Sequence, residues 1–501
     1  MSVAALAGIC FVIVLAVLVG SVRARRYTSV SDFYVAARAV RPWWNGAAIS
    51  SEFTSAAACL GMAGLIATHG GPMLWYPVGA AAGFVIVLAL VVAPLRRSGT
   101  FTLPDFAEWR LGSAVLRRFT TCWVLLIGLT FMVAQLHAAG VVVRLLTGLP
   151  PWAGWCAVAV AAATVALTGG MGSITSVQAS QFWLKLIAFA GVGLVLWCTW
   201  RCGLVPGPGE VAGFAAAYGE RAGLAGAGDP SLPGVLTVLL ACALGTMGLP
   251  HVAVRVYATV DGRGARRSVV AAQVLLAAFF VLPPLYGMLA HLHPTEAAAE
   301  EIVLLLPSQM LPGVVGDLLT GVLAAGSFTA FLATSCGVLT AVSGAVSACV
   351  ARAGVRSFRL TIGAVTLGTL GLTALTTPGG SVLLVLVGFS LAAATFCPLL
   401  LLGIWWRRLT DAGVAAGFLL GGGLTLGLVV AERVGVNVGI ALHYPAPVAV
   451  PLAFAAMMVI SLLTPTRVPA ATASMMARMH LPEHLAGPSI DRSSPGDDRP
   501  S

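Results

Sequence analysis

Charged residues are scarce in this chain: they make up 9% of its 501 residues, against about a quarter in an average soluble domain. Lysine is almost missing, because Lys185 is the single lysine among 28 basic residues. Hydrophobic residues account for 58%, and the mean hydropathy is +0.95. This composition excludes an ordinary soluble domain and is typical of a polytopic membrane protein. The net charge of +10 then reflects arginine-rich cytoplasmic loops, so no nucleic-acid partner is expected.

Cysteine pairs and enzyme motifs are lacking as well. Most of the ten cysteines fall within apolar stretches, and none forms a CxxC pair or a cluster with histidine. They are interpreted as small packing residues. The patterns HExxH and GxSxG are absent, and no span contains a pair of acidic residues. We therefore expect no catalytic residues, no cofactor and no enzymatic activity.

What the chain does contain is a series of apolar stretches, most of them long enough to cross a bilayer. The thirteen predicted spans are residues 1–22, 43–65, 73–94, 119–146, 152–167, 176–200, 234–256, 269–289, 318–346, 360–375, 382–405, 413–431 and 447–463. Spans 2–6 and 7–11 form two sets of five that enter the membrane from opposite sides. That parity is what an inverted repeat requires. The sequence therefore predicts an all-α polytopic membrane protein with about 13 transmembrane helices.

Arginine clusters follow the first, third, seventh and ninth predicted spans. By the positive-inside rule, they place the N-terminus outside and the C-terminus in the cytoplasm. The polar segment 464–501 is rich in proline and serine and is predicted to be a disordered cytoplasmic tail. We expect a multi-pass protein of the plasma (inner) membrane.

The second predicted span, 43–65, has a polar middle. Its polar residues are Ser50, Ser51, Glu52, Thr54 and Ser55. A carboxylate at membrane depth is costly and usually marks a pathway for a substrate or an ion. Alanine and glycine on both sides permit close packing and an unwound turn, as in the broken helices of secondary transporters. The alternative is a continuous helix whose serines bond to their own backbone, and Glu52 favours the broken helix.

Several separate motifs resemble those of the sodium:solute symporters, and within that family the cation/acetate symporter (acetate permease) branch. The most specific is residues 244–251, continued by Arg255 and Tyr257. Further matches lie at 45–46, 94–97, 102–105, 135, 169–171 and 402–407. The resemblance implies a five-plus-five inverted-repeat (LeuT-like) core at 43–405. Residues 1–22 and 413–463 would form peripheral spans, and 464–501 the tail.

The resemblance also implies one cation site between spans 2 and 9. Its ligands would be the carbonyl groups of Gly46, Ile49 and Ala330 and the side chain of Thr334. Some members of the family have a second hydroxyl residue where this chain has Ala333, and an aspartate where it has Gln178. Because a hard cation needs several oxygen ligands, the coupling ion is left open as sodium or a proton.

For the substrate, the resemblance implies a small solute bound at two broken helices, span 2 near residues 50–53 and span 7 near residues 246–248. Half-helix ends offer backbone N–H groups at such breaks. The candidate substrate and coupling residues are Ser50, Glu52, Phe53, Gln178, Lys185, Thr246 and Gly248. The predicted function is cation-coupled uptake of acetate or a related short-chain monocarboxylate by a monomer in the bilayer. The alternatives are a symporter for pyruvate, proline or a sugar, or a membrane sensor that does not transport.

Lys185 carries a separate hypothesis. It lies near the middle of span 6, too deep to reach either interface easily. It is two helical turns from Gln178, so the two side chains share one face of the helix. A buried ammonium needs a partner, and Glu52 and the substrate carboxylate are the two candidates. The alternative is that Lys185 points along a water-filled gap.

Overall fold

The computed structural model describes residues 3–22, 40–203, 232–292, 297–349, 354–376, 380–435 and 445–483. All regular secondary structure in these ranges is helical. The α-helices are Val3–Val22, Pro42–Phe53, Met62–His69, Trp75–Ile86, Val92–Ser98, Leu103–Leu111, Ala114–Thr147, Pro151–Arg201, Leu232–Gly248, Pro250–Tyr257, Gly262–Phe279, Leu282–Leu292, Ala299–Met310, Val314–Cys349, Val355–Leu375, Ser381–Ala394, Phe396–Trp405, Asp411–Gly417, Gly423–Arg433, Ala446–Leu463 and Thr472–His480. Short π-helices occur at Ala57–Gly61, Val87–Val91 and Phe418–Gly422, and 3₁₀ turns at Gly71–Leu74 and Pro465–Arg467.

Within the described residues, eleven helices are long and apolar enough to cross a membrane. The pair Pro42–Phe53 and Ala57–Thr68, bent by 69°, makes a twelfth span. The 51-residue helix Pro151–Arg201 is too long for one crossing. It is interrupted at Gly170, whose φ of 51° lies in the left-handed region that glycine adopts most readily. The helix therefore comprises two spans, which gives the predicted total of about thirteen.

The spans are numbered here in chain order. Spans 1–4 are Val3–Val22, the bent pair, Trp75–Ser98 and Ala114–Thr147; spans 5 and 6 are the parts of Pro151–Arg201 before and after Gly170; spans 7–13 are Leu236–Tyr257, Gly262–His291, Val314–Cys349, Val355–Leu375, Ser381–Trp405, Asp411–Ala431 and Ala446–Leu463. Among the eleven long helices, the one that forms span 9 is the most deeply buried, and those of spans 1 and 10 are the least buried. Span 9 packs on spans 1, 4 and 6 and forms the centre of the bundle.

Two of the central spans are broken, as the sequence predicts. The first half of span 2 ends at Phe53, and Thr54 adopts a non-helical conformation with φ −78° and ψ 72°. The Thr54 hydroxyl donates to the Ser50 carbonyl, a local bond that competes with helix continuation. Span 7 breaks at Leu249, which is extended because Pro250 follows it. The breaks lie slightly later in the chain than the predicted positions near 50–53 and 246–248.

Some segments read as loops in the sequence are helical. Helix Leu103–Leu111 begins after Thr102, whose hydroxyl accepts from the Asp105 N–H. Helix Thr472–His480 packs against Val92–Ser98, so the disorder predicted for 464–501 does not describe the part of the tail up to residue 483. Residues 484–501 and residues 204–231, between spans 6 and 7, lie outside the described residues.

Candidate transport site

The centre of the bundle contains a buried ion pair. The Oε2 atom of Glu52 lies 3.1 Å from Nε of Arg255, and each side chain is 1% exposed. The Gln178 amide lies at 3.5 Å from the same Glu52 oxygen. Asn45 donates to the Arg255 carbonyl at 3.0 Å, which ties span 2 to span 7 a second time. A carboxylate that is costly to bury alone is therefore paired and hydrogen-bonded.

The remaining guanidinium donors of Arg255 extend this network to span 6. Nη1 donates to the Thr175 hydroxyl at 2.7 Å, and Nη2 donates to the side-chain carbonyl of Gln178. The Gln178 amide also donates to the Ala333 carbonyl at 2.6 Å. Spans 2, 6, 7 and 9 thus share one continuous set of hydrogen bonds. Because the set is buried, moving one span relative to the others requires these bonds to be exchanged.

Lys185 is buried and forms a second cluster on the same broken span. Its Nζ lies 2.6 Å from the Ser51 carbonyl, 3.0 Å from the Thr54 carbonyl and 2.8 Å from the Thr54 hydroxyl. Its side chain is fully enclosed, so the alternative of a water-filled gap is not what the structure shows. Of the two candidate partners for Lys185, Glu52 is paired with Arg255 in the structure.

On span 9, the predicted cation ligand Thr334 faces span 2. The Thr334 hydroxyl donates to the Glu52 carbonyl at 2.8 Å. Ala330, one helical turn earlier, is buried. Ala333 provides no hydroxyl group, and its carbonyl is the one that accepts from Gln178.

On span 2, the predicted ligands lie in the first half-helix. The Gly46 carbonyl accepts from the Ser50 hydroxyl at 2.9 Å, and the same hydroxyl is 3.1 Å from the Ala272 carbonyl of span 8. A Cβ atom on Gly46 would collide with span 8 at Ala271, so this residue faces span 8. Ile49 is buried. The direct contact of Thr334 with span 2 is therefore at Glu52 rather than at Gly46 or Ile49.

At the end of the first half of span 2, aromatic side chains surround the predicted substrate residue Phe53. Its ring centroid lies 4.9 Å from Phe84, 5.7 Å from Phe389 and 6.4 Å from Phe280, all with edge-to-face geometry. Tyr76 continues the group through Phe389 at 6.3 Å. These five residues, called the aromatic cluster below, bring spans 2, 3, 8 and 11 together. They form an apolar wall beside the unwound segment.

The second half of span 2 begins beside a glutamine. The Ala56 N–H donates to Oε1 of Gln135 at 2.9 Å. Gln135 belongs to span 4, and its side chain is fully buried. A side-chain oxygen thus occupies the N-terminal end of a half-helix, where the helix dipole favours partial negative charge.

The other predicted substrate residues, Thr246 and Gly248, lie on span 7 before its break. The Thr246 hydroxyl donates to the Cys242 carbonyl at 2.6 Å, within its own helix. Gly248 lies against the backbone of span 11, where a Cβ atom would collide with Ala392. Both residues allow close helix packing, and neither contacts the Glu52 network.

The sequence interpretation missed two residues of the site. Arg255 lies inside the predicted seventh span, 234–256, so a basic residue within an apolar stretch was the available signal. Gly337 of span 9 lies directly against the Glu52 carboxylate, where any Cβ atom would overlap it. No local pattern marks that glycine. Among the described residues, no group of three His, Cys, Asp or Glu side chains could hold a metal ion.

Two broken spans that meet at a buried polar network are typical of secondary transporters. The model of the sodium:solute symporter family matches residues 33–421, so the chain belongs to that family. The uncharacterized symporter YwcA of Bacillus subtilis (strain 168) is 27% identical over 420 residues, which cover 79% of this chain and 80% of the relative.

Two solved structures show the same fold. A Na⁺-coupled sialic acid symporter, in a substrate-bound outward-open state, has a TM-score of 0.75 at 14% identity and covers 92% of this chain and 98% of its own. Mhp1, a nucleobase-cation-symport-1 family transporter, has a TM-score of 0.52 at 13% identity and covers 89% and 97%. These similarities confirm the five-plus-five inverted-repeat (LeuT-like) fold. The protein is a multi-pass, cation-coupled symporter.

Proposed function

We propose that this symporter takes up acetate or a related short-chain monocarboxylate by alternating access. The observation that carries the proposal is the arrangement at the second half of span 2. The Ala56 N–H binds a neutral side-chain oxygen from Gln135, and the aromatic cluster begins three residues earlier at Phe53. This segment combines an end that binds oxygen atoms with an apolar wall, and a short monocarboxylate has both corresponding parts.

Other small solutes fit this arrangement less well. A sugar requires several polar partners around its ring, whereas the described wall beside the break is formed by phenylalanine and tyrosine rings. Proline and pyruvate also carry a carboxylate, so the test below treats them as alternative substrates. The backbone amide at Ala56 would serve the carboxylate group, and the aromatic rings beside it would contact a short apolar chain.

We further propose that the monomer is the transporting unit, with the N-terminus outside and the C-terminus in the cytoplasm. The arginine-rich segments after spans 3 and 7 support this orientation. Span 12 carries a ridge of glycines at Gly413, Gly417 and Gly421. This ridge packs inside the chain, because Gly417 lies against Met457 of span 13. That contact leaves this ridge no role in pairing two copies.

The test is uptake of labelled acetate by proteoliposomes that contain the purified protein. Uptake should be driven by an inward cation gradient and abolished when the gradient is collapsed. Unlabelled propionate should compete strongly, and galactose should not compete. Accumulation of proline, pyruvate or a sugar in the same vesicles, with no accumulation of acetate, would contradict the proposal. Binding of acetate without any exchange across the membrane would point to a sensor.

A further inference from the structure

The ammonium group of Lys185 is bound in the way that proteins bind a small metal cation. Three oxygen atoms contact Nζ: the carbonyl groups of Ser51 and Thr54 and the hydroxyl group of Thr54, at 2.6–3.0 Å. An ammonium group has three N–H donors, so all of them have an acceptor. The side chain is 0% exposed, which leaves no route for it to extend to an interface.

The two carbonyl groups lie where the first half of span 2 ends. Carbonyl groups at the C-terminal end of a helix lack partners within the helix, and the helix dipole makes this end negative. Unwound carbonyl groups of this kind coordinate the coupling cation in transporters with broken helices. Here a side chain from span 6 supplies the positive charge at that position.

No described carboxylate forms an ion pair with Lys185. The nearest acid in sequence to its partners, Glu52, is committed to Arg255 and Gln178. The ammonium is therefore stabilised by neutral oxygen atoms and the helix end, as a sodium ion would be. It is not half of an ion pair whose function is to neutralise an acid.

Sodium, which the family resemblance implies, fits the ligand set predicted between spans 2 and 9 poorly. The predicted ligand set lacks a hydroxyl group at Ala333, whose carbonyl accepts from the Gln178 amide. The Glu52 carbonyl already accepts from the Thr334 hydroxyl, and the Gly46 carbonyl from the Ser50 hydroxyl. The neighbouring oxygen atoms thus have protein donors. A sodium ion beside the ammonium would also meet like-charge repulsion in a site closed to water.

We propose that the Lys185 ammonium is a tethered cation that takes the place of sodium at the break in span 2. It holds the two halves of the span in the geometry that binds substrate, and wild-type binding and exchange do not require sodium. The proposal rests on the proposed function only for the choice of substrate. The role of Lys185 as a positioning residue can be measured without any substrate.

The substrate-free measurement is thermal unfolding of the purified protein in sodium chloride and in choline chloride at equal ionic strength. A ligand that binds the folded state raises the unfolding temperature. We expect no difference between the two salts for the wild type. In Lys185→Ala, which removes the charge and leaves space, sodium should raise the unfolding temperature above its value in choline. Specific stabilisation of the wild type by sodium would overturn the proposal.

The substrate-dependent measurement is counterflow of labelled acetate across proteoliposomes with no ion gradient. Wild-type exchange should be the same in sodium and in choline. Lys185→Met fills the volume without the charge and should lower exchange about tenfold or more in both salts, the loss expected for hydrogen bonds to a charged group. Lys185→Ala should regain exchange in sodium only.

The outcomes separate the two proposals. If neither the wild type nor its variants exchange acetate, but the salt dependence of unfolding is as expected, the substrate assignment fails. The proposal of a tethered cation is then still supported. If wild-type exchange falls about tenfold when choline replaces sodium, the tethered cation fails and the acetate assignment stands. Wild-type exchange by Lys185→Met in choline would also overturn the role given to Lys185. Should Lys185→Ala not fold, the wild-type salt comparison still decides.

Discussion

The Glu52 carboxylate and the Arg255 guanidinium, 3.1 Å apart and almost fully buried, join the two broken helices of the transporter. Glu52 lies two residues before Thr54, where span 2 unwinds, and Arg255 lies five residues after Pro250, where span 7 resumes. Broken helices are where alternating-access transporters bind their substrates. The pair therefore connects the predicted binding region of one repeat with that of the other.

Removing one partner of this pair should be worse than removing both. Glu52→Gln leaves the Arg255 guanidinium buried without a counter-charge. Arg255→Met leaves the Glu52 carboxylate buried without a counter-charge. Each single variant should lose about 3–5 kcal/mol of stability and most of its transport. The double variant should unfold at a higher temperature than Arg255→Met alone. Thermal unfolding in detergent and acetate exchange measure the two effects.

An exposed ion pair provides the control for this double-mutant cycle. Arg467 lies 3.3 Å from Asp411, and the Arg467 side chain is 57% exposed. Arg467→Gln should change stability by less than about 1 kcal/mol, because exposed pairs contribute little. If the buried single variants are as stable as this control, the pair has no structural role. Normal transport by Glu52→Gln at every pH tested would remove its functional role as well.

The length and apolar character of the spans made the transmembrane helices predictable, and the family resemblance implied their LeuT-like arrangement. The thirteenth span was predicted at 447–463 and is observed at Ala446–Leu463, and the twelfth was predicted at 413–431 and is observed at Asp411–Ala431. Burial of Glu52 also followed from sequence, because a carboxylate inside a 23-residue stretch of this kind must face protein or water.

The partners of the buried charges were not predictable in the same way. Glu52 and Arg255 are separated by 203 residues, and only the packing of span 2 against span 7 brings them together. The same packing sends Lys185 to carbonyl groups instead of a carboxylate. Every residue has a backbone carbonyl group, so the sequence does not show which of them accept hydrogen bonds. A lysine that binds carbonyl groups therefore cannot be distinguished in the sequence from one that pairs with a carboxylate. The helix Leu103–Leu111, by contrast, carried a readable N-cap at Thr102.

Gly337 should be needed because the Glu52 carboxylate occupies the space where its side chain would be. Gly337→Ala should displace Glu52 from Arg255 and lower stability by about 1–3 kcal/mol, as overpacking of a core does. Acetate exchange should fall with it, by about tenfold. Both quantities are measured on the same purified protein.

Two further variants distinguish this contact from a general intolerance of alanine. Gly363→Ala in span 10, where a Cβ atom meets nothing within 4 Å, should be neutral. Glu52→Asp in the Gly337→Ala background shortens the acid by one methylene group and should restore part of the exchange. Full activity of Gly337→Ala would show that Glu52 does not lie against span 9 during transport.

Gln135 tests the proposed site for the substrate carboxylate. In the wild type, the Ala56 N–H lies 2.9 Å from Oε1 of Gln135. Gln135→Glu keeps an oxygen that can accept from this N–H and adds a negative charge. Repulsion of the substrate carboxylate should raise the KM for acetate by about tenfold or more while the protein still folds. Gln135→Met, of similar size and neutral, should change KM less. An unchanged KM in Gln135→Glu would place the substrate elsewhere.

Glu483 fastens the C-terminal helix Thr472–His480 to the membrane domain. Its Oε1 accepts from the Gly262 N–H at 2.8 Å and lies 3.3 Å from Nε of Arg97. Burial raises the pKa of Glu483. Hydrogen bonds from the backbone N–H groups of Glu483 and Gly262, together with the charge of Arg97, lower this pKa by a larger amount. The pKa therefore lies below the ordinary value of 4.5. A carboxyl group of this kind stabilises the folded state above its unfolded pKa, and the contribution is lost as the pH falls through the lower folded value.

We therefore expect helix Thr472–His480 to stay docked at neutral pH and to loosen only below pH 4.5. Amide hydrogen exchange in this helix, corrected for the intrinsic effect of pH, should show constant protection above that value and reduced protection below it. Glu483→Ala should show the reduced protection at neutral pH. Glu301→Ala, which breaks an ion pair with Arg144 elsewhere, should leave this helix protected. Equal protection in Glu483→Ala and the wild type would mean that packing, and not Glu483, holds the helix in place.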